Sequence, residues 1–210
     1  MTKSVPSRQR RVLSGAPDVL CLAFVNSVAW RKAERSEDRL PSPFALLDWC
    51  VNAGLCEVDY AAALRRHWSR RPREARAVHQ RAIALREAIY RILQSRIRSE
   101  ALPENGLRVL NRVLAAAPRR VCLAQKGSGF GWYAGMRPAV PADMLASIAW
   151  SAADLLIGPR VRRVRQCADE KGCGWLFIDE SRAGTRRWCS MGECGNRAKA
   201  RRHYLRRRKE

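Results

Sequence analysis

Four cysteines near the C-terminus constrain this chain more than any other feature. Cys167 and Cys173 form one close pair with five residues between them, and Cys189 and Cys194 form a second with four. Fifteen residues separate the two pairs. This spacing is typical of a tetrahedral zinc site with four thiolate ligands. Because sulfur fills all four positions and leaves none for water, we expect a structural metal and not a catalytic one.

Two other uses of clustered thiols are less consistent with the sequence. Disulfides are rare in the reducing cytoplasm, and the chain has neither a long apolar run nor a signal-type N-terminus. We therefore expect a cytoplasmic protein with no membrane partner. Iron–sulfur clusters also use four thiolates, but the spacing matches neither common ferredoxin pattern. The expected cofactor is one structural zinc ion.

The charge of the chain predicts an anionic partner. The sequence has 41 Lys and Arg against 19 Asp and Glu, which gives a net charge of +22. Eight of the thirteen residues from 197 to 209 are basic, so they repel one another on the helix predicted there. A merely solvated basic helix is the alternative. Nucleic acid is the partner that best offsets such repulsion.

The first part of the chain reads as mostly helical. Residues 19–30 form a continuous apolar stretch that favours a buried helix, although a buried strand turning into a helix would also fit. Ser42 and Pro43 predict the start of a second helix, and Gly54 its end. Asp59 is predicted to cap a further short helix.

The middle of the chain carries the clearest periodicity. Apolar residues spaced by four and three predict an amphipathic helix over about 72–98. Another helix is predicted to end near Pro118, and a β-hairpin follows over about 120–133. The last helix before the cysteines is predicted over about 141–157, and Gly158 with Pro159 ends it.

The cysteine region is predicted to fold as a small finger. A strand at 175–178 makes a hairpin whose tip holds the first two cysteines, and a basic helix from Gly195 to Arg208 follows the last one. The predicted fold class is therefore α+β: a mostly helical N-terminal domain with a small β-hairpin, then a treble-clef-like or ribbon-like zinc finger ending in a basic helix. The predicted divisions are a disordered basic arm over 1–12, a regulatory domain over 13–159 and the finger over 160–210.

Several motifs in the finger resemble the CGNR zinc finger. They are Leu176–Asp179 with Ser181, Arg187–Met191, and the tetrapeptide Cys194-Gly195-Asn196-Arg197 with the residues to Arg201. Upstream, the residues Phe24–Ser27, Trp30-Arg31, Asp38 and Leu40-Pro41 are similar to the ABATE domain, which commonly precedes this finger. Members of the family are regarded as transcription regulators, some of them stress-induced.

The resemblance implies roles for particular residues. The zinc ligands would be Cys167, Cys173, Cys189 and Cys194. Nucleic acid would be bound by the motif residues beyond the last cysteine and by further basic residues of the same helix: Asn196, Arg197, Lys199, Arg201, Arg202 and Arg206.

The leading hypothesis is a transcription regulator that binds DNA through the finger and its arginine-rich helix, and that is associated with the nucleoid when bound to DNA. The N-terminal domain would sense a small-molecule effector or mediate self-association into a homo-oligomer. RNA or ribosome association is the alternative, since the same charge would support it. We expect no enzymatic activity, because the sequence has no phosphate loop, nucleophile elbow or paired acid motif. Asn26, Ser27, Trp30 and Asp38 are either a ligand pocket or buried structural polar residues.

Overall fold

The computed structural model describes residues 12–14, 19–120, 122–126, 129–133, 143–169 and 171–207. Of the predicted basic arm, residues 1–11 lie outside this part of the chain. Val12 is described, and it begins the first strand, β1 (Val12–Ser14).

The predicted helix over 19–30 is shorter than expected. Helix α1 spans Leu20–Val25, and the chain then forms strand β2 (Val28–Ala29), which pairs antiparallel with β3 (Glu37–Asp38). Asn26 is the C-cap residue of this helix, and its side-chain amide bonds a distant strand. The apolar run is therefore a short buried helix followed by a strand.

The next two helices test the capping predictions. Helix α2 spans Pro43–Asn52, and the Ser42 hydroxyl accepts a hydrogen bond from the Ala45 amide at 3.1 Å, which confirms the predicted cap. Gly54 follows this helix with φ +67°, as predicted for a left-handed stop. Asp59 is not a cap: helix α3 (Val58–Arg70) has Glu57 at its N-cap, and Asp59 lies within the first turn.

The long helix has the predicted limits. Helix α4 spans Pro72–Arg98, and its apolar stripe (Val78, Ala82, Leu85, Ile89 and Ile92) is buried. Helix α5 spans Glu104–Ala116 and packs against α4. Helix α6 (Asp143–Ile157) packs against α1, and a short 3-10 helix at Pro159–Arg163 leads into the cysteine region.

The predicted hairpin between α5 and α6 is present. Strand β4 (Cys122–Lys126) pairs antiparallel with β5 (Gly129–Tyr133). The sequence did not predict that β1 would pair with the other edge of β5, which gives a three-stranded sheet.

The cysteine region contributes to the main hydrophobic core. Strand β6 (Val164–Gln166) pairs antiparallel with β7 (Leu176–Ile178), and β6 packs on α4. Val164, Leu176 and Ile178 belong to the same buried cluster as the apolar residues of α1, α2 and α4. Helix α7 (Asn196–Arg207) follows the second pair of cysteines. The observed fold is the predicted α+β arrangement.

Candidate metal centre and nucleic-acid interface

The four C-terminal cysteines converge in space. Their sulfur atoms all lie within 4.8 Å of one another, and Cys167, Cys173 and Cys194 are buried. The Sγ atom of Cys189 is 3.7 Å from that of Cys173 and 3.6 Å from that of Cys194. In a tetrahedron with Zn–S bonds of about 2.3 Å, neighbouring sulfurs are about 3.8 Å apart. The cluster is therefore of the right size to bind one zinc ion.

The surroundings of the sulfurs fit a thiolate site. The Cys189 amide donates to Cys167 Sγ at 3.5 Å, and the Arg197 guanidinium donates to Cys194 Sγ at 2.9 Å. Hydrogen bonds among the thiols lower the pKa of Cys167 and raise the pKa values of Cys173 and Cys189, and burial raises the pKa of Cys194. Donors that point at sulfur favour the thiolate form, which is the form that binds metal.

Asp169 holds the described residues of the loop between the first two cysteines, which are residues 168, 169, 171 and 172. Its carboxylate accepts from the Lys171 amide at 3.2 Å, and its carbonyl accepts from the Gly172 amide at 3.0 Å. The Arg197 guanidinium donates to the same carboxylate at 2.7 Å. Asp169 is buried. Because it bonds both the loop and Arg197, it connects the start of α7 to the first pair of cysteines.

The second pair of cysteines is held by a different pair of charged residues. The buried Asp179 carboxylate accepts from the Arg186 amide at 2.9 Å and from the Ser181 hydroxyl at 2.6 Å, and the Ser181 bond lowers the pKa of Asp179. The Arg186 guanidinium donates to the carbonyls of Trp188 and Cys189 and lies over the Phe177 ring. No local sequence pattern marks Arg186 for this role, because its partners are fixed only by the fold.

The first cysteine loop docks directly on the N-terminal part of the chain. The amides of Arg31 and Lys32 donate to the carbonyls of Cys173 and Gly172 at 3.2 and 2.9 Å. Gly172 has φ +95°, and a Cβ atom there would lie 2.5 Å from the Ala33 nitrogen. Two backbones can approach this closely only because residue 172 lacks a side chain.

Side chains extend the same junction. The Asn26 amide donates to the Leu176 carbonyl at 2.8 Å and accepts from the Leu176 amide at 2.9 Å, so it completes the edge of β7. The Trp175 indole donates to the Val28 carbonyl at 2.9 Å. The Tyr90 hydroxyl accepts from Gln166 at 2.7 Å. The metal centre and the helical region are thus joined by hydrogen bonds as well as by a shared core.

A charged network lies behind this junction. Arg86 of α4, only 3% exposed, donates to both carboxylate oxygens of Asp38 at 2.7 Å and to the Ser27 hydroxyl at 3.1 Å. Arg31 donates to both oxygens of Glu87 at 2.8 and 3.0 Å and lies over the Tyr90 ring. The hydrogen bond from Arg86 lowers the pKa of Asp38. Burial raises the pKa of Glu87, but Arg31 and Arg86 outweigh this effect and leave it lowered.

The residues named as a speculative ligand pocket have partners inside the protein. Asn26, Ser27 and Asp38 bond Leu176 and Arg86 as described, and the Trp30 ring carries the Arg197 guanidinium 4.8 Å from its centre. Trp30 has φ +57°, an unusual left-handed conformation for a bulky residue. These contacts agree with the alternative of structural polar residues, and the ligand pocket stays a prediction.

The six predicted nucleic-acid contacts divide into two groups. Arg197 is directed inward, to Asp169, Cys194 and Trp30. The side chain of Asn196 is exposed and bonds the Gly192 carbonyl at 2.9 Å. The other four side chains, further along α7, are exposed: Lys199, Arg201, Arg202 and Arg206. Helix α7 has no buried residue, so beyond its first turn it presents a cationic surface.

Comparison with known families agrees with this geometry. The profile of the ABATE family, described as "Putative stress-induced transcription regulator", matches residues 18–159. The chain belongs to the ABATE family. The CGNR zinc finger profile matches residues 163–207, which contain all four clustered cysteines. No curated protein sequence matches the chain.

The two matching families are described as a putative transcription regulator and as a zinc finger, and neither description names an enzyme. The CGNR finger can bind one zinc ion through its four cysteines. Within the residues that the structure describes, no helix is both long enough and apolar enough to cross a membrane.

Proposed function

We propose that this ABATE family member regulates transcription by binding duplex DNA through α7, with Cys167, Cys173, Cys189 and Cys194 holding one structural zinc ion. The observation that carries the proposal is the exposed cationic surface of α7, anchored at its first turn by Arg197 and Cys194. An α-helix fits the major groove of DNA, where arginine can read guanine edges and bond phosphates. Asn196, Lys199, Arg201, Arg202 and Arg206 are the proposed contacts.

Arg197 has a different role in this proposal. Its guanidinium is already bonded to Asp169 and Cys194, so it orients α7 and does not read bases. A guanidinium held on a buried carboxylate fixes the direction in which the following residues project. The contacts of Arg197 thus connect the metal centre to the proposed DNA-binding surface.

The test is DNA binding by the zinc-loaded full chain and by two variants that lose equal charge. One variant replaces Lys199, Arg202 and Arg206 with Ala, and the control replaces Arg81, Arg91 and Arg112, which are exposed on α4 and α5. The logarithm of affinity should fall with the logarithm of salt by about 0.9 per phosphate neutralised. The α7 variant should lose about three such contacts, whereas the control keeps the wild-type slope. Equal affinity and slope in the two variants would refute the proposal.

RNA is a second candidate because Tyr204, 61% exposed, lies among the basic residues of α7. An aromatic side chain between cations can stack on an unpaired base. Competition between duplex DNA and single-stranded RNA for the labelled duplex distinguishes the two. Preferential displacement by RNA would make RNA the partner.

We propose further that the N-terminal domain regulates the finger by sensing an effector or by self-association. The support for this role is the direct docking of residues 26–33 on the first cysteine loop and β7, so that a shift there would move the metal centre. Native mass spectrometry of the purified chain reports both a retained small molecule and the number of subunits. The two routes are contradicted if the chain carries no small molecule and stays a monomer both alone and in its complex with DNA.

A further inference from the structure

A second basic surface lies away from the finger, where α3 meets α4. A pocket of about 420 Å³ is lined there by Ala63, Arg66, His67, Arg70 and Arg71. Arg66, His67 and Arg70 belong to α3, and Arg71 is the N-cap residue of α4. All three arginines are exposed to solvent. The pocket is therefore concave, open and lined mainly by cations.

The arginines of this pocket have no acidic partner among the residues that the structure describes. Within the described part of the chain, Arg66, Arg70 and Arg71 make no side-chain ion pair. The neighbouring Arg65 does, because it bonds Asp48. The nearby Glu74 is engaged by His67, with the ring nitrogen 3.0 Å from a carboxylate oxygen.

The charges of this pocket repel one another when no anion is bound, although the C-terminal end of the α3 dipole favours the charge of Arg70. Arg66 and Arg70 are four residues apart on α3, where like charges destabilise a helix. Arg71 adds a third charge next to the first turn of α4, whose dipole also has its positive end there. An anion in the pocket would relieve all of these interactions.

Phosphate is the anion that this pocket fits best. Guanidinium groups bind phosphate oxygens through paired hydrogen bonds, and three forks around one concave surface can surround a single phosphate group. The openness to solvent leaves room for the rest of a phosphoester. We propose that the α3–α4 corner binds a phosphate group, independently of α7. The phosphate belongs either to the backbone of bound DNA or to a free phosphorylated small molecule.

The test compares two triple variants of the zinc-loaded full chain. The pocket variant replaces Arg66, Arg70 and Arg71 with Ala. The control is the Arg81, Arg91 and Arg112 triple described above, which loses the same charge at exposed sites outside the pocket. Circular dichroism first checks that each variant is folded. A third variant with lysine at all three pocket positions keeps the charge but removes the forks.

The first arm measures pyrophosphate binding by calorimetry. Wild type and the control should bind equally, and the pocket variant should bind about tenfold more weakly or worse. The lysine variant should fall between them, because an ammonium lacks the paired donors of a guanidinium.

The second arm measures the salt dependence of DNA binding. If DNA supplies the phosphate, the pocket variant should lose about 0.9 from the log–log slope for each contact removed, while α7 still binds. If a free phosphoester is the ligand, the slope stays at the wild-type value and only pyrophosphate binding is lost. Pocket and control variants that behave alike in both arms would overturn the proposal. This result leaves the proposed role of α7 intact, since that role is tested by other residues.

Discussion

Replacing Gly172 with Ala should weaken the docking of the metal centre on the N-terminal domain. The added Cβ atom would lie 2.5 Å from the Ala33 nitrogen and 2.8 Å from the Lys32 carbonyl carbon, both backbone atoms that cannot rotate away. The left-handed φ of +95° costs a non-glycine residue about 1–2 kcal/mol. Relief of the overlap costs about 1–3 kcal/mol more. The expected loss in the free energy of unfolding is therefore about 2–5 kcal/mol.

Gly184 provides a matched control within the finger. Its φ is +63°, but a Cβ atom there meets nothing within 4 Å. Gly184→Ala should lower the free energy of unfolding only by the cost of the left-handed conformation, about 1–2 kcal/mol. Both substitutions reduce the conformational entropy of the unfolded chain by the same amount, so this effect cancels in the comparison. The difference between the two variants, about 1–3 kcal/mol, reports the docking alone.

Urea unfolding of the zinc-loaded chain measures this difference, with helix content followed by circular dichroism. Competition with a zinc chelator measures metal affinity in the same samples. Gly172→Ala should lower both stability and zinc affinity more than Gly184→Ala, because the loop that carries Cys173 is displaced. Equal values for the two variants would show that the contact with residues 31–33 contributes nothing, and would refute the reasoning.

Three further predictions concern single side chains. Cys189→Ser should abolish stoichiometric zinc binding and lower the melting temperature; unchanged zinc content by atomic absorption would contradict the four-thiolate site. Asp38→Asn should cost about 1–2 kcal/mol at neutral pH, because it removes a charge-assisted pair with Arg86 whose carboxylate is 39% exposed. Since Arg86 lowers the pKa of Asp38, this contribution is present above the unfolded pKa of about 3.9 and is lost as the pH falls below it, so urea unfolding of the two chains should converge in acid. Arg197→Lys should preserve charge but lose the bond to either Asp169 or Cys194, so zinc dissociation should be faster than in the wild type.

Local patterns predicted those parts of the fold that depend on neighbours in sequence. The limits of α4 followed from its periodicity, and the cap at Ser42 followed from a hydroxyl before a proline. The cluster of four thiols followed from ligand spacing alone. In each case the interacting groups are few residues apart, or are defined by a metal that has simple geometric requirements.

The errors and omissions arose where a residue's partner is far away in sequence. For residues 19–30 a buried helix was favoured over a buried strand turning into a helix, but Asn26 bonds Leu176, and the segment after it pairs with β3. Arg86 lies among the apolar residues of α4, and nothing near it indicates that Asp38 is its partner. The resemblance to the CGNR finger predicts Arg197 as a nucleic-acid contact, and this stays a prediction; the sequence does not indicate that its guanidinium bonds Asp169, twenty-eight residues earlier. Long-range polar pairs carry no periodicity, so a single sequence cannot reveal them.

The burial of Val164, Leu176 and Ile178 in the main core has a consequence for how this finger can be transferred between proteins. A zinc finger whose hydrophobic core is formed only by its own residues can be fused to another protein. Here one face of the β6–β7 hairpin is part of the core of the N-terminal domain. Excision would expose that face and leave a cavity in the remaining chain. A chimera of this finger with another N-terminal domain should therefore need complementary core residues in the two domains. Substitutions in the core residues of α4 should be accompanied by substitutions in those of β6.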